Sequence, residues 1–220
     1  MMAGLPGPYQ QKGSAAMTES LRDKNGLTEE EFLAGYSPKN YPRPSLTVDN
    51  CIFRVGPNDA LKLLLVRRGG HPFLGCWALP GGFVSPGETA LEASQRELLE
   101  ETGITGLSLE PVGLYSAPNR DPRGWTVSEA HIAVDSIGAT AHAGDDAAAA
   151  EWFDVASNED NGRTRLSLTA GDVTLASDFS IQPAPVTGIP RSRDVHGKGF
   201  AFDHAQIIAD AWLLLVYARK

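Results

Sequence analysis

The chain has 220 residues, enough for one domain with additions or for two small domains. An apolar content of 42% and a charged content of 21% suit a globular protein with a core and set it apart from disordered or fibrous chains. The net charge of −8 argues against a broad nucleic-acid-binding surface, which needs a basic stripe, while an anionic ligand held through cations and a few arginines remains compatible.

Residues 1–25 are rich in Gly, Pro, Gln and Ser without periodicity and read as a flexible tail ahead of a domain over 26–220. No basic segment followed by an apolar core opens the chain, and no run approaches the ~18 apolar residues of a membrane span, so a soluble, cytoplasmic protein is expected. Thr28, with Glu31 three residues on, forms a capping box that predicts a short helix to about Tyr36. Pro42 and Pro44 then favour an extended entry. The apolar, β-branched runs 46–55 and 61–66 flank Gly56-Pro57-Asn58-Asp59, which predicts an antiparallel hairpin. Cys51 lies in the first of these runs and Cys76 beside Trp77; neither has zinc-ligand spacing, and both read as reduced packing cysteines. Trp77-Ala78-Leu79 is a short strand leading into Pro80-Gly81-Gly82. A helix is expected over about 89–102, with Leu91 and Leu98 toward the core and Gly103 as a left-handed stop. Segments 107–116 and 126–134 read as strands around the loop 118–124. An alanine-rich stretch with Gly144-Asp145-Asp146 reads as the next loop, and Glu151-Trp152-Phe153 begins another strand. Residues 163–180 alternate as a second hairpin, an addition within about 157–200, and 182–199 is a Pro/Gly-rich connection. Asp203 can cap a last helix over 204–218, with Ile207, Ile208, Ala211, Leu214 and Leu215 as its core stripe.

The chemistry concentrates in GFVSPGETALEASQRELLEETGI, residues 82–104. Helix residues three and four apart are neighbours, about 5–6 Å between Cβ atoms, so Glu97, Glu100 and Glu101 share one face. Crowded carboxylates repel unless a divalent cation or a raised pKa relieves them. The plain alternative is a solvated face with ordinary Glu/Arg pairing. The pattern G-x5-E-x7-R-E-L-x-E-E-x-G-I resembles the Nudix box at every specified position, with Leu98 and Ile104 at the aliphatic ones.

That resemblance implies an α/β fold, the Nudix α/β/α sandwich with a central mixed sheet over roughly 46–156 plus the last helix, to which the hairpin near the C-terminus is added. It implies Mg²⁺ or Mn²⁺ held by Glu97, Glu100, Glu101 and the carbonyl of Gly81, all hard oxygen donors. Glu88 and Arg96 are then a scaffold pair, and Gly82 and Gly103 structural members of the motif. The flanks 41–49, 77–82, 119–124 and Phe202-Asp203-His204-Ala205 are similar to those of ADP-ribose pyrophosphatases. The implied reaction is ADP-ribose plus water giving AMP and ribose 5-phosphate, through water activated by the metal. Arg120 and Arg123, with Arg68, are candidates to hold the pyrophosphate or terminal ribose, since a guanidinium bonds two phosphate oxygens at once; exposed loop arginines are the alternative. A base outside the box is expected in the late loop, at Asp146 in preference to Asp145 or Glu151; Glu129, on a strand, is a poorer candidate. Phe73 and Trp125 are either adenine platforms or packing residues. His204, at a helix N-terminus, reads as a neutral hydrogen-bonding residue. The substrate could equally be a sugar nucleotide, NADH or a dinucleoside polyphosphate. Regulators of NAD metabolism with similar flanks bind ADP-ribose and carry a C-terminal winged helix; the two residues after Ala218, the intact box and the acidic chain weigh against that reading. The expected partners are a small nucleotide substrate and a second copy of the chain, with no nucleic acid and no membrane.

Overall fold

The computed structural model describes residues 21–37, 42–142, 144 and 147–219. The chain divides into two compact units, 1–42 and 43–220. In the first, the capping box forms as expected: the Thr28 hydroxyl accepts from the Glu31 amide and the Glu31 carboxylate from the Thr28 amide, starting helix α1, Glu29–Gly35.

The second unit is built on one ten-stranded sheet. Strands β1 (Ser45–Val55) and β2 (Leu61–Arg68) form the expected hairpin, with Phe53 opposite Leu63. The short β3 (Trp77–Ala78) and β4 (Gly81–Phe83) pair with β2 and β1. On the far side of β1 lies β6 (Thr126–Val134), parallel to it, and then β5 (Glu110–Tyr115). On the far side of β2 lies β7 (Ala147–Asp160), followed by β8 (Arg163–Ala170), β9 (Val173–Pro183) and β10 (Pro190–Lys198).

Two helices cover the sheet. Because side chains alternate across a strand, Cys51, Phe53, Leu63 and Leu65 pack with Ile207, Ile208 and Ala211 of α3 (His204–Ala218). Ile52 and Leu64 face the other way, into a smaller core with Leu98 of α2 (Ala90–Thr102) and Ile104. The central strands therefore read as unbroken apolar runs, as strands buried on both faces do. Helix α2 starts on a second capping box, Thr89 with Glu92, and stops where Gly103 takes φ +72°. This is the expected sandwich.

Three expectations need correction. The added segment holds the expected hairpin, β8 with β9, but 190–198 is a full strand and not a connection, and β8 to β10 extend the main sheet, with β9 and β10 packed on α3. Its prolines misled because Pro183 and Pro190 sit at strand ends, where a missing N–H is tolerated. The alanine stretch 147–150 is the start of β7 rather than loop. Leu91 is 43% exposed, so Leu98 alone of that pair reaches the core. Among the described residues, no helix is long and apolar enough to cross a membrane.

Candidate active site

The site starts where β1, β4 and α2 meet. Strand pairing sets Gly81 opposite Asp49 and Gly82 opposite Val48. A Cβ at residue 81 would run into the Val48 carbonyl, and one at residue 82 into the Glu97 carboxylate. The glycine pair thus lets α2 approach the strand closely enough for the Gly81 N–H to donate to Glu101 Oε2 at 3.0 Å. Burial is the main reason the Glu101 carboxyl is pushed up to about 7; the Gly81 amide pulls it down, and the charge of Glu97 raises it again.

Arg96 organises the remaining carboxylates. Its Nε and one terminal nitrogen grip Glu88 at 3.1 and 2.7 Å, and the other terminal nitrogen reaches Glu97 at 2.7 Å and Glu100 at 3.0 Å. The Phe83 carbonyl also accepts from it, at 3.0 Å, tying the helix to the end of β4. The Arg96 hydrogen bond first, and then the Ser85 amide, hold the Glu88 carboxyl down at about 2. At the end of α2, where helix carbonyls lack partners, the His142 amide donates to the Thr102 carbonyl and the Gly144 amide to the Glu101 carbonyl. The loop that carries the acidic pair is thereby tied to the box helix, although Asp145 and Asp146 themselves lie outside the described residues.

The floor of the cleft is a buried polar knot. Asp49 accepts from the Ser128 hydroxyl at 2.5 Å, with His204 Nε2 at 3.3 Å and an Arg120 terminal nitrogen at 3.5 Å. Burial raises the Asp49 carboxyl, but His204, Ser128 and Arg120 outweigh it and leave the group below the usual carboxylate range. The Leu79 amide donates to His204 Nδ1 at 2.8 Å, so the ring hydrogen belongs on Nε2, facing Asp49. Arg120 is held by both oxygens of Asp203, at 2.8 and 2.6 Å, with its side chain only 4% exposed.

Another part of the lining is cationic and aromatic. Arg68 and Arg123 both lie over the Phe202 ring, and Arg123 also lies over Phe83. Together these groups line a cleft of about 700 Å³. Among the described residues, no three His, Cys, Asp or Glu side chains converge so as to hold a metal ion as they stand. The donor set nonetheless suits a hard dication. It consists of oxygens, Glu97 and Glu101 line the same cleft, and burial disfavours the Glu101 charge until a cation offsets it.

Of the residues singled out in the sequence, Gly81, Gly82, Glu97, Glu101, Arg96, Arg68, Arg120, Arg123 and His204 line this cleft. Glu88 supports it through Arg96, and Glu100, 56% exposed, sits at its rim on the same arginine. Glu151 is exposed on β7 and Glu129 stands on β6 near His131, neither lining the cleft. Trp125 is 59% exposed and also outside the lining, whereas Phe73 packs on Phe202 with ring centroids 4.8 Å apart. Sequence reading gave no role to Asp49, Phe83 or Phe202, and Asp203, expected to cap the last helix, makes no side-chain cap bond and instead accepts from Arg120. A carboxylate inside the apolar run 46–55 was the available signal for Asp49, because a buried charge demands partners.

The NUDIX domain model matches residues 46–170. The chain is similar to an ADP-ribose pyrophosphatase of Methanocaldococcus jannaschii, 47% identical over 115 residues that cover 52% of this chain and 64% of the relative. It thus spans less than two thirds of that relative's length. Among solved structures it resembles a MutT/nudix family protein from Enterococcus faecalis, at TM-score 0.71 and 35% identity over 87% of this chain and 70% of the other. It also resembles the NUDIX domain of Shewanella oneidensis NrtR complexed with ADP ribose, at TM-score 0.61 and 29% identity over 86% and 99%.

Proposed function

This chain belongs to the NUDIX domain family, and from that premise we propose that it hydrolyses a nucleoside diphosphate linked to another moiety, with ADP-ribose as the preferred substrate. The observation that carries the reading is the composition of one cleft, lined by carboxylates of α2 and by the guanidinium groups of Arg68 and Arg123. A polyanion that brings a divalent cation satisfies both kinds of group; a cationic ligand would satisfy only the carboxylates, and a neutral one neither.

Glu97, Glu100 and Glu101, with the Gly81 carbonyl, would hold Mg²⁺ or Mn²⁺. Such an ion, when bound, neutralises a diphosphate and polarises its P–O bonds. The chain's own groups do the rest. Arg68 and Arg123 bind the phosphate oxygens, and Arg96 keeps Glu97 and Glu100 on the cleft side of the helix. Arg120 orders the floor by gripping Asp203, which turns its expected substrate contact into a supporting one. Asp146 accepts the proton of the attacking water, an assignment supported by its place two residues beyond Gly144, which is anchored to the Glu101 carbonyl. The P–O–P bridge opens, water oxygen joins phosphorus, and AMP and ribose 5-phosphate leave.

A panel of nucleoside diphosphates with Mg²⁺, read by phosphate release through a coupled phosphatase, tests the reading. ADP-ribose is expected among the best substrates by kcat/KM, and a tenfold or greater preference for a sugar nucleotide, NADH or a dinucleoside polyphosphate would overturn that choice. The likeness to the ADP-ribose-bound NrtR domain supports a second reading, a sensor of ADP-ribose. Tight ADP-ribose binding without turnover, joined to salt-dependent retention of DNA in a gel shift, would establish it in place of the enzyme.

A further inference from the structure

We infer that Phe202 is a positioning residue whose ring holds Arg68 and Arg123 together as one anion-binding pair in the cleft that Glu97 and Glu101 also line. The inference rests on the diphosphate chemistry proposed above and names the part of the site that selects for it.

Two guanidinium groups brought together repel, and something must hold them. The Arg68 guanidinium carbon lies 5.0 Å from the centre of the Phe202 ring and that of Arg123 lies 5.5 Å from it. Both distances are within the range at which the negative face of an aromatic ring attracts a cation. Arg123 is further steadied by Phe83, at 4.9 Å. The proximity has an electrostatic trace: burial first, and then the charge of Arg123, lower the pKa of Arg68.

Arg68 and Arg123 share one ring and also keep terminal nitrogens free. Arg96 by contrast has carboxylates on both terminal nitrogens, and Arg120, paired with Asp203 through Nε and one terminal nitrogen, is only 4% exposed. Arg68 is tethered only through Nε, to the Pro72 carbonyl at 2.7 Å, so both of its terminal nitrogens lack a hydrogen-bond partner among the described residues. Arg123 bonds Asp121 through Nε and one terminal nitrogen, and the other is likewise without a partner among the described residues. These donors are what a phosphate group requires.

The backbone of Phe202 supports a role beyond packing. Its φ of +49° lies in the left-handed region, which is unfavourable for a bulky side chain and persists only where the surroundings hold it. Here the Ala201 amide donates to the Trp77 carbonyl on one side, and on the other Asp203 is gripped by Arg120. That turn directs the ring to the cleft wall, where Phe73 and His204 pack on it with centroids 4.8 and 5.4 Å away.

The test uses the full chain with EDTA present and reads binding of ADP and of ADP-ribose by calorimetry. Phe202→Leu keeps apolar bulk without an aromatic face and is expected to weaken binding roughly tenfold. Phe202→Tyr, which keeps the face, should restore affinity to within about twofold of wild type, an outcome that simple loss of packing would not produce. Arg68→Ala should cost less in the Phe202→Leu background than alone, because the two residues act through each other. Equal costs in both backgrounds, or a Phe202→Leu affinity within about twofold of wild type, would overturn the proposal. A wild type that binds ADP but not ADP-ribose, with the Phe202→Leu effect intact, supports the arginine pair and overturns the substrate choice. Binding of neither overturns the arginine pair, whereas the substrate choice stands or falls with the Mg²⁺ hydrolysis panel.

Discussion

Exchanging Glu101 for glutamine is expected to lower kcat for ADP-ribose hydrolysis by roughly 100- to 1,000-fold, the scale on which loss of one charge-stabilising group acts, while the folded protein becomes no less stable. Glutamine has the same shape and can still accept from the Gly81 amide through its side-chain oxygen, so the link between β4 and α2 survives. What disappears is a buried charge that a divalent cation would use. The effect on stability has a definite sign. The folded-state pKa, about 7, lies above the ordinary value of 4.5. Below pH 4.5 both folded and unfolded chains carry the proton and the stability is fully present. As pH rises toward 7 the unfolded chain ionises first, and stability is lost; above 7 the loss levels off. In metal-free buffer the variant should therefore gain on wild type across this window, up to a difference on the order of 3 kcal/mol. Denaturant titrations at several pH values measure it. A difference between the two proteins that stays flat from pH 4 to 8 would show that Glu101 is not the buried, uncompensated acid described.

The glycine pair should separate fold from function. In Gly81→Ala the new methyl group meets the Val48 carbonyl, which belongs to the central strand and has nowhere to move. We expect a loss of about 3 kcal/mol, at the upper end for overpacking, seen as a lowered denaturant midpoint. In Gly82→Ala the methyl group meets only the carboxylate end of Glu97, a flexible side chain that can rotate aside. The midpoint should change little, whereas activity should fall at least about 100-fold because Glu97 is displaced from its place in the cleft lining. Equal effects of the two substitutions on stability would contradict the geometry in which one glycine faces backbone and the other a side-chain tip.

Much of this architecture was legible because its signals are local. The capping box at Thr28, the left-handed Gly103 and the three- and four-residue spacing of Glu97, Glu100 and Glu101 depend on neighbours within a turn or two, and they appear as expected. The hairpin of β1 and β2 has its turn chemistry between its strands. What escaped depends on distant partners. Arg120 reads as a free loop cation until Asp203, 83 positions along the chain, takes it. Phe202 gains meaning only when β2 and the 120–123 loop bring two arginines to its ring. In 190–198, breaker residues mark a strand whose edge pairing and packing on α3 outweigh local preference.

The parallel pairing of β1 with β6 has a consequence for how the chain reaches this state. Leu46 lies beside Val127 and Phe53 beside Val134, so neighbours in the middle of the sheet are about 80 positions apart in sequence. A growing chain can fold its first hairpin and raise the box helix by residue 104, yet one edge of β1 stays open until β6 has been made. The apolar face beneath Cys51 and Phe53 stays open longer still, until α3 has been made. Closing such long loops before their contacts form is slow, because chain entropy is lost ahead of any gain from pairing. The central strand that pairs with Gly81 and Gly82 is thus made well before it is protected, a period during which its exposed edge can pair with another chain.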